Sequence, residues 1–249
     1  MSSSSSIQVL SAAQRFRTQT QWIQSRHSFS FGPHYDPANV GFGPLIVLNE
    51  ETVAPNQGFD THPHRDQEIV TWVLRGSLVH QDSHGNNGVV HPGLAQRMSA
   101  GHGIMHSERN DTWREDVNNP PEPVRFIQMW VLPDELSSEP GYEQRDIRDQ
   151  LTDNDWTVVA SGLPEHADIT AIRIHQKRAG FLVANLSEHS RLQTPDAPLL
   201  YLHVAHGQVQ LADGSTLNQG DGARLLDVGG IEITSGPTDT QVLLWQMNS

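Results

Sequence analysis

Two pairs of residues carry the clearest chemistry in this chain. His62 and His64 are two apart, and so are His106 and Glu108. In an extended strand, residues i and i+2 project from the same face. Each pair can therefore aim two donor atoms at one point. Two neighbouring strands bearing them can enclose a metal ion with three imidazoles and one carboxylate. A lone His-x-His on a surface is common and usually carries nothing. Two such pairs beside glycines and strand-like runs make a metal site the stronger reading. Both lie within residues 59–110, which hold seven of the fourteen histidines.

Glu68 is the rival carboxylate. It follows His64 by four residues, so an unbroken strand would put it on the same face. Four residues of strand, however, span about 13 Å, whereas Glu108 is about 7 Å along the strand from His106. The spacing favours Glu108 as the ligand and Glu68 in a supporting or outer position. As the one carboxylate placed against the metal, Glu108 is also the candidate catalytic base.

The chain has no cysteine, so the metal must be held by nitrogen and oxygen. Such donors suit Fe(II), Mn(II), Co(II), Ni(II), Cu(II) or Zn(II) without choosing among them. Four protein ligands leave one or two positions open on a five- or six-coordinate ion, so a substrate oxygen can bind and be polarised.

The elements that must position these residues read as strands. Residues 68–75 (EIVTWVLR) are the strongest, rich in β-branched and aromatic side chains. Strands are also expected at 27–31, 44–49, 77–82, 95–99, 104–109 and 124–132. Residues 133–151 carry Pro133, Pro140, Gly141 and many charges with no apolar period, which reads as a linker. A second series follows, at 157–161, 169–175, 180–184, 199–203, 207–211, 222–226, 231–234 and 242–246. Helix is scarce throughout. Two successive groups of short strands predict an all-β chain of two tandem barrels, residues 1–135 and 136–249.

Other candidates have plainer readings. His80, His84, His91 and His102 could support the site, but loop histidines are more often exposed. Trp72 and Trp130 are expected in a barrel core. Phe42, Phe59 and Met98 could line an apolar pocket or be plain core. No carboxylate follows His203 and His206 at ligand spacing, so they read as structural or exposed.

Composition sets further bounds. The formal charge of −13 argues against nucleic-acid binding through a broad basic surface. There is no apolar run of the ~18 residues needed to span a bilayer, so no membrane association is expected. The serine tract at residues 1–6 lacks the pattern of a secretory signal and reads as a disordered tail. A cytoplasmic monomer is the expectation.

His62-x-His64-x3-Glu68-x7-Gly76, followed by Gly103-x2-His106-x3-Asn110, resembles the two motifs of the cupin superfamily, a jelly-roll barrel. Tyr35-Asp36-Pro37, Gly41-Phe42-Gly43, His62-Pro63-His64-Arg65, His80-Gln81-Asp82, Gly103-Ile104-x-His106-Ser107-Glu108 and Gln128-x-Trp130 narrow this to the pirin family. The resemblance is dense over residues 26–133 and looser beyond. It implies a bicupin with one metal, favouring Fe(II), in the N-terminal barrel. The implied ligands are His62, His64, His106 and Glu108. The implied activity is that of a quercetin 2,3-dioxygenase, with a flavonol and dioxygen as partners. The alternative is a metal-bearing regulatory or redox-sensing protein that modulates a protein partner.

Overall fold

The computed structural model describes residues 5–111 and 122–248. Among them helix is confined to two single turns of 3-10 type, Arg148–Gln150 and Pro164–His166. Among the described residues no helix is long and apolar enough to cross a membrane. Strands make up the rest of the regular structure, in two matching pairs of sheets.

In the first pair, one sheet runs in the order Gly141–Asp146, Leu94–Ser99, Glu68–Arg75, Val124–Val131, Leu45–Val53, Ile23–His27, Phe16–Gln19. Facing it is a four-stranded sheet, Gly58–His64, Ile104–Arg109, Leu78–Asp82, Asn87–Val90. The second pair repeats the plan. Its large sheet runs Ser6–Leu10, Gly222–Leu226, Leu199–His206, Thr240–Met247, Ala179–Leu186, Thr157–Ser161, Ile172–Arg173. Its small sheet runs Arg191–Gln193, Glu232–Ser235, Gln208–Leu211, Thr216–Asn218. This is the expected bicupin architecture.

The sheets do not divide at residues 135 and 136. Ser6–Leu10 pairs with Gly222–Leu226 in the second barrel, and Gly141–Asp146 pairs with Leu94–Ser99 in the first. The expected linker therefore contains an edge strand. It lacks an apolar period because no residue of that strand is fully buried. Of the expected disordered tail, residues 1–4 lie outside the described residues, while Ser6 opens a strand. The strand expected at 27–31 is displaced to Ile23–His27. The alternating Ser-Phe run has a different cause. Phe29 packs against Tyr201 of the second barrel, and Phe31 stacks on His27.

The two large sheets pack back to back. Phe29, Leu48, Val70 and Trp72 from one side meet Phe181, Tyr201, Leu243 and Trp245 from the other in one buried cluster. Trp72 is buried as expected, but between the barrels rather than inside one. The second barrel is filled by a single apolar cluster that includes Leu202, Val209, Leu217 and Leu244. The first barrel's apolar filling is split. One cluster gathers Val53, Val73, Leu78 and Phe126, and another gathers Ile69, Met98, Ala100 and Ile104.

One ionic cluster joins the barrels beside the apolar seam. Glu50 accepts from Arg15 at 3.1 Å and from Arg125 at 2.6 Å. Those guanidinium groups also reach across, Arg15 to the Gly220 carbonyl and Arg125 to that of Ala205. Burial pushes the Glu50 carboxyl up, but the charges of His203, Arg125 and Arg15 outweigh it and leave it at about 2. His203 is itself held down to about 3 by burial, so at neutral pH the two arginines do this work. The folded value lies below the unfolded one. The resulting stability is therefore present above about pH 4.5 and is lost as pH falls towards 2. Glu50→Gln is expected to unfold more easily in urea at pH 7 and to show a shallower loss of stability between neutral and acid pH. Parallel pH profiles for the two proteins would contradict this.

Candidate metal centre

The small sheet of the first barrel carries the histidines. Ile104–Arg109 pairs antiparallel with Gly58–His64, placing His106 opposite His62 and Ile104 opposite His64. On its other side His106 faces Asp82, and Glu108 faces His80. Opposed residues on one face of such a ladder are about 5 Å apart, so pairing alone assembles the group. Between His106 and Glu108 the register shifts, and Glu108 lies opposite Phe59. The extra residue forms a bulge, which turns backbone groups out of the ladder. The Asp60 carbonyl there accepts from His62 Nδ1 at 2.7 Å. Gly58 is required nearby, because a Cβ would collide with the Glu108 carbonyl.

The donor atoms of His62, His64 and His106 lie within 4.8 Å of one another. His62 Nε2 and His106 Nε2 are 3.1 Å apart. His64 Nδ1 donates to Gln67 Oε1 at 3.0 Å. With Nδ1 protonated on both His62 and His64, each Nε2 keeps its lone pair. His64 Nε2 is buried and has no protein partner. Burial, opposed by the Gln67 bond, holds His64 down to about 4. Burial and the neighbouring imidazoles hold His106 down to about 2. Both are thus neutral at physiological pH. Converging lone pairs of neutral imidazoles suit a divalent transition metal.

Glu108 does not join that triangle directly. Its oxygens group with His80 and His106, so His106 is common to both sets. It accepts from Gln128 Nε2 at 2.6 Å and from Thr71 Oγ1 at 3.4 Å. Gln128 is held in turn, since its Oε1 accepts from Trp130 Nε1 at 3.1 Å. Complete burial pushes the Glu108 carboxyl up to about 7 despite these bonds.

The remaining candidates separate cleanly. Glu68 accepts from the backbone N–H groups of His175 and Gln176 at 2.8 and 2.9 Å, and from Ser99 Oγ at 2.9 Å. It ties the first barrel to the segment 172–176 and is absent from both donor groups. His80 is fully buried, 3.5 Å from His106 and stacked on Tyr142. His84 and His102 are exposed and His91 half-buried, away from the cluster. Trp130 packs half-buried against the Ile69, Met98 and Ile104 cluster of the first barrel, as expected, and also stands edge-on to His64 at 4.9 Å. Met98 is core, Phe42 packs toward Tyr201, and Phe59 lies near His62. His203 is completely buried, and His206 is exposed.

A 440 Å³ cleft opens beside His64, walled by Pro63, Ile104 and Met105 with Arg65 at its side. A larger cleft of 880 Å³ lies between the barrels near Arg75, Arg125 and His206, and none of the clustered imidazoles reaches it. Sequence reasoning did not pick out Gln67, Thr71, the Asp60 carbonyl or Met105, and noted Arg65 only as part of the family pattern. Gln128 was noted only as part of the family pattern. Polar partners on other strands leave no local spacing to read.

The fold and site together define a bicupin with a histidine cluster in its first barrel alone among the described residues. Residues 9–131 match the family model described as Pirin, and residues 158–247 match that of the quercetinase C-terminal cupin domain. The chain belongs to the pirin family. It is 46% identical to a Mycobacterium tuberculosis protein named "Putative quercetin 2,3-dioxygenase", over 98% of this chain and 96% of that one. It is 36% identical to the quercetin 2,3-dioxygenase of Escherichia coli K12, over 91% and 92%. It is also similar to the crystal structure of the bacterial pirin YhhW from Escherichia coli in complex with nickel(II). That likeness has a TM-score of 0.83 and 32% identity, covering 98% of this chain and 99% of the other.

The contacts of Glu68 and the imidazole cluster predict separable effects. Glu68→Gln is expected to lower stability by roughly 2 kcal/mol in urea unfolding, the usual range for hydrogen bonds to a charged group. The imidazole NMR signals of His62, His64 and His106 should stay in place. Unchanged stability together with displaced imidazole signals would reverse these roles.

Proposed function

We propose that the chain is a metal-dependent dioxygenase that opens the central ring of flavonols such as quercetin. One divalent metal, Fe(II) by preference, would be held by His62, His64, His106 and Glu108. The carrying observation is the buried, unpartnered Nε2 of His64, set among the donor atoms of His62 and His106. The nickel in the YhhW complex supports a divalent transition metal in this setting.

Bound there, the metal supplies Lewis acidity towards an enolic or phenolic oxygen and, if redox-active, electron exchange with dioxygen. The chain's own residues do the rest. The Glu108 carboxylate takes the proton of the flavonol 3-hydroxyl. Gln128 and Thr71 fix the orientation of that carboxylate. Pro63, Ile104 and Met105 give the flat aromatic rings an apolar wall beside His64. Ring opening consumes one dioxygen and yields a depside and carbon monoxide.

Metal analysis and an oxygen electrode test this directly. The wild type is expected to carry about one metal per chain and to consume oxygen with quercetin. His62→Ala with His64→Ala should abolish metal retention, and full retention would end the assignment. Glu108→Gln should hold metal more weakly and lose activity roughly 100-fold or more, through loss of an anionic donor and of the base. A metal-loaded wild type that consumes no oxygen with any flavonol would favour a regulatory protein over an enzyme.

A further inference from the structure

A second row of buried polar groups crosses the first barrel behind the metal centre. Ser25 stands opposite Glu51, and His27 opposite Asn49, on adjacent strands. Glu51, Ser25 and His27 are 4%, 3% and 2% exposed. Barrel interiors hold such groups only when they bond to one another. These bond end to end. Glu51 Oε1 accepts from Ser25 Oγ at 2.9 Å. His27 Nδ1 lies 3.4 Å from Ser25 Oγ and 2.9 Å from Asn49 Oδ1. On the other side of the ring, His27 Nε2 lies 2.9 Å from Thr18 Oγ1, which is 3.1 Å from His34 Nε2. His34 is half-buried at the surface. His34 stacks on Phe16 and His27 on Phe31, so apolar rings flank the row.

The donors can all point one way. Asn49 Oδ1 only accepts, which puts the His27 proton on Nδ1 and leaves Nε2 to accept from Thr18. The single Thr18 hydroxyl proton is then used, so His34 Nε2 must donate to that oxygen. Ser25 gives its proton to Glu51. The donors of His34, Thr18 and Ser25 therefore aim toward Glu51, while the His27 Nδ1 proton rests on Asn49 at 2.9 Å and must swing to Ser25 at 3.4 Å for the row to conduct.

We infer that His34, Thr18, His27, Ser25 and Glu51 form a proton relay between solvent and the interior of the first barrel. A proton leaving His34 Nε2 joins Thr18 Oγ1, whose own proton passes to His27 Nε2. His27 releases its Nδ1 proton to Ser25 Oγ, and Ser25 passes its proton to Glu51 Oε1. His34 is recharged from water. One proton enters, one arrives, and the row is left in the reverse sense, ready to carry the next proton outward. The 3.4 Å step between His27 and Ser25 is the longest and weakest link.

The terminus suits the task. Burial pushes the Glu51 carboxyl up to about 7, against the Ser25 and Asn49 bonds, with the Glu108 charge adding and Arg15 opposing. Its second oxygen is buried without a partner. The relay stands on its own geometry, but its use in turnover rests on the dioxygenase reading. Ring opening of a flavonol creates a free carboxyl group, ionised at neutral pH. Each turnover must then send one proton out from beside Glu108.

Infrared detection after a pH jump across neutrality tests the relay on the full-length protein. The band of the buried carboxyl is identified by its loss in Glu51→Gln. Thr18→Val, which keeps shape but removes the hydroxyl, is expected to slow protonation of Glu51 roughly 100-fold. Thr18→Ser should restore it, and His27→Phe should match Thr18→Val. Equal rates in wild type and Thr18→Val would overturn the relay, as would the lack of any titrating band that Glu51→Gln removes. A parallel oxygen-electrode run with quercetin keeps the two ideas apart. Relay-dependent protonation without flavonol turnover would sink the dioxygenase reading and leave the relay standing.

Discussion

His106 stands opposite His62 because Ile104–Arg109 and Gly58–His64 pair in one register. Side chains alternate between faces along a strand, so a slip of one residue would turn both donor pairs to the outside. Two features pin the register. The bulge beside His62 absorbs one residue and uses the freed Asp60 carbonyl to orient the imidazole. Gly58 lets the strands close where any side chain would meet the Glu108 carbonyl. The clustering of these imidazoles is thus set by backbone pairing.

The two barrels divide their tasks through what fills them. The second holds one continuous apolar cluster. The first gives up the middle of its interior to His62, His64, His106, Glu108 and the polar row ending at Glu51, leaving two smaller clusters. A barrel filled this way buries less apolar surface and carries unpartnered polar atoms, each costing about 1–3 kcal/mol. The shared seam offsets this. Phe29, Trp72, Phe181, Tyr201 and Trp245 are all buried there, and the exchanged strands lace the halves together. Apolar contact is concentrated between the barrels and buried polar groups inside one of them.

Much of this was legible in the chain because it is local. Strand period, glycine punctuation and the two i, i+2 pairs are short-range signals, and they located the barrels and the histidines. What escaped depends on distant partners. Residues 141–146 read as a linker because an edge strand needs no apolar face. The polar–aromatic alternation at 27–31 read as a half-buried strand, but it serves Phe29 and Phe31 packing contacts instead. Trp130 packs on a core cluster as expected, but nothing in its sequence neighbourhood shows that His64 also lies against it. Glu108 is a subtler case. Its spacing from His106 is that of a ligand, yet its carboxylate is held by Gln128 from the opposite sheet, beside His80.

Strand alternation also sorts the carboxylates of the first barrel. Glu50 and Glu51 are neighbours in sequence and project to opposite faces of one strand. Glu50 looks towards the second barrel, meets two guanidinium groups, and is held at about 2. Glu51 looks inward, meets a serine and an asparagine, and is pushed up to about 7. Glu68 and Glu108 divide in the same way. Glu68, bonded to backbone N–H groups and to His175, is held below its ordinary value, whereas burial raises Glu108 to about 7. The two outward carboxylates are fixed anions that tie the barrels together. A period of two along the strands therefore separates carboxylates that meet cations and backbone amides from carboxylates that burial pushes up inside the barrel.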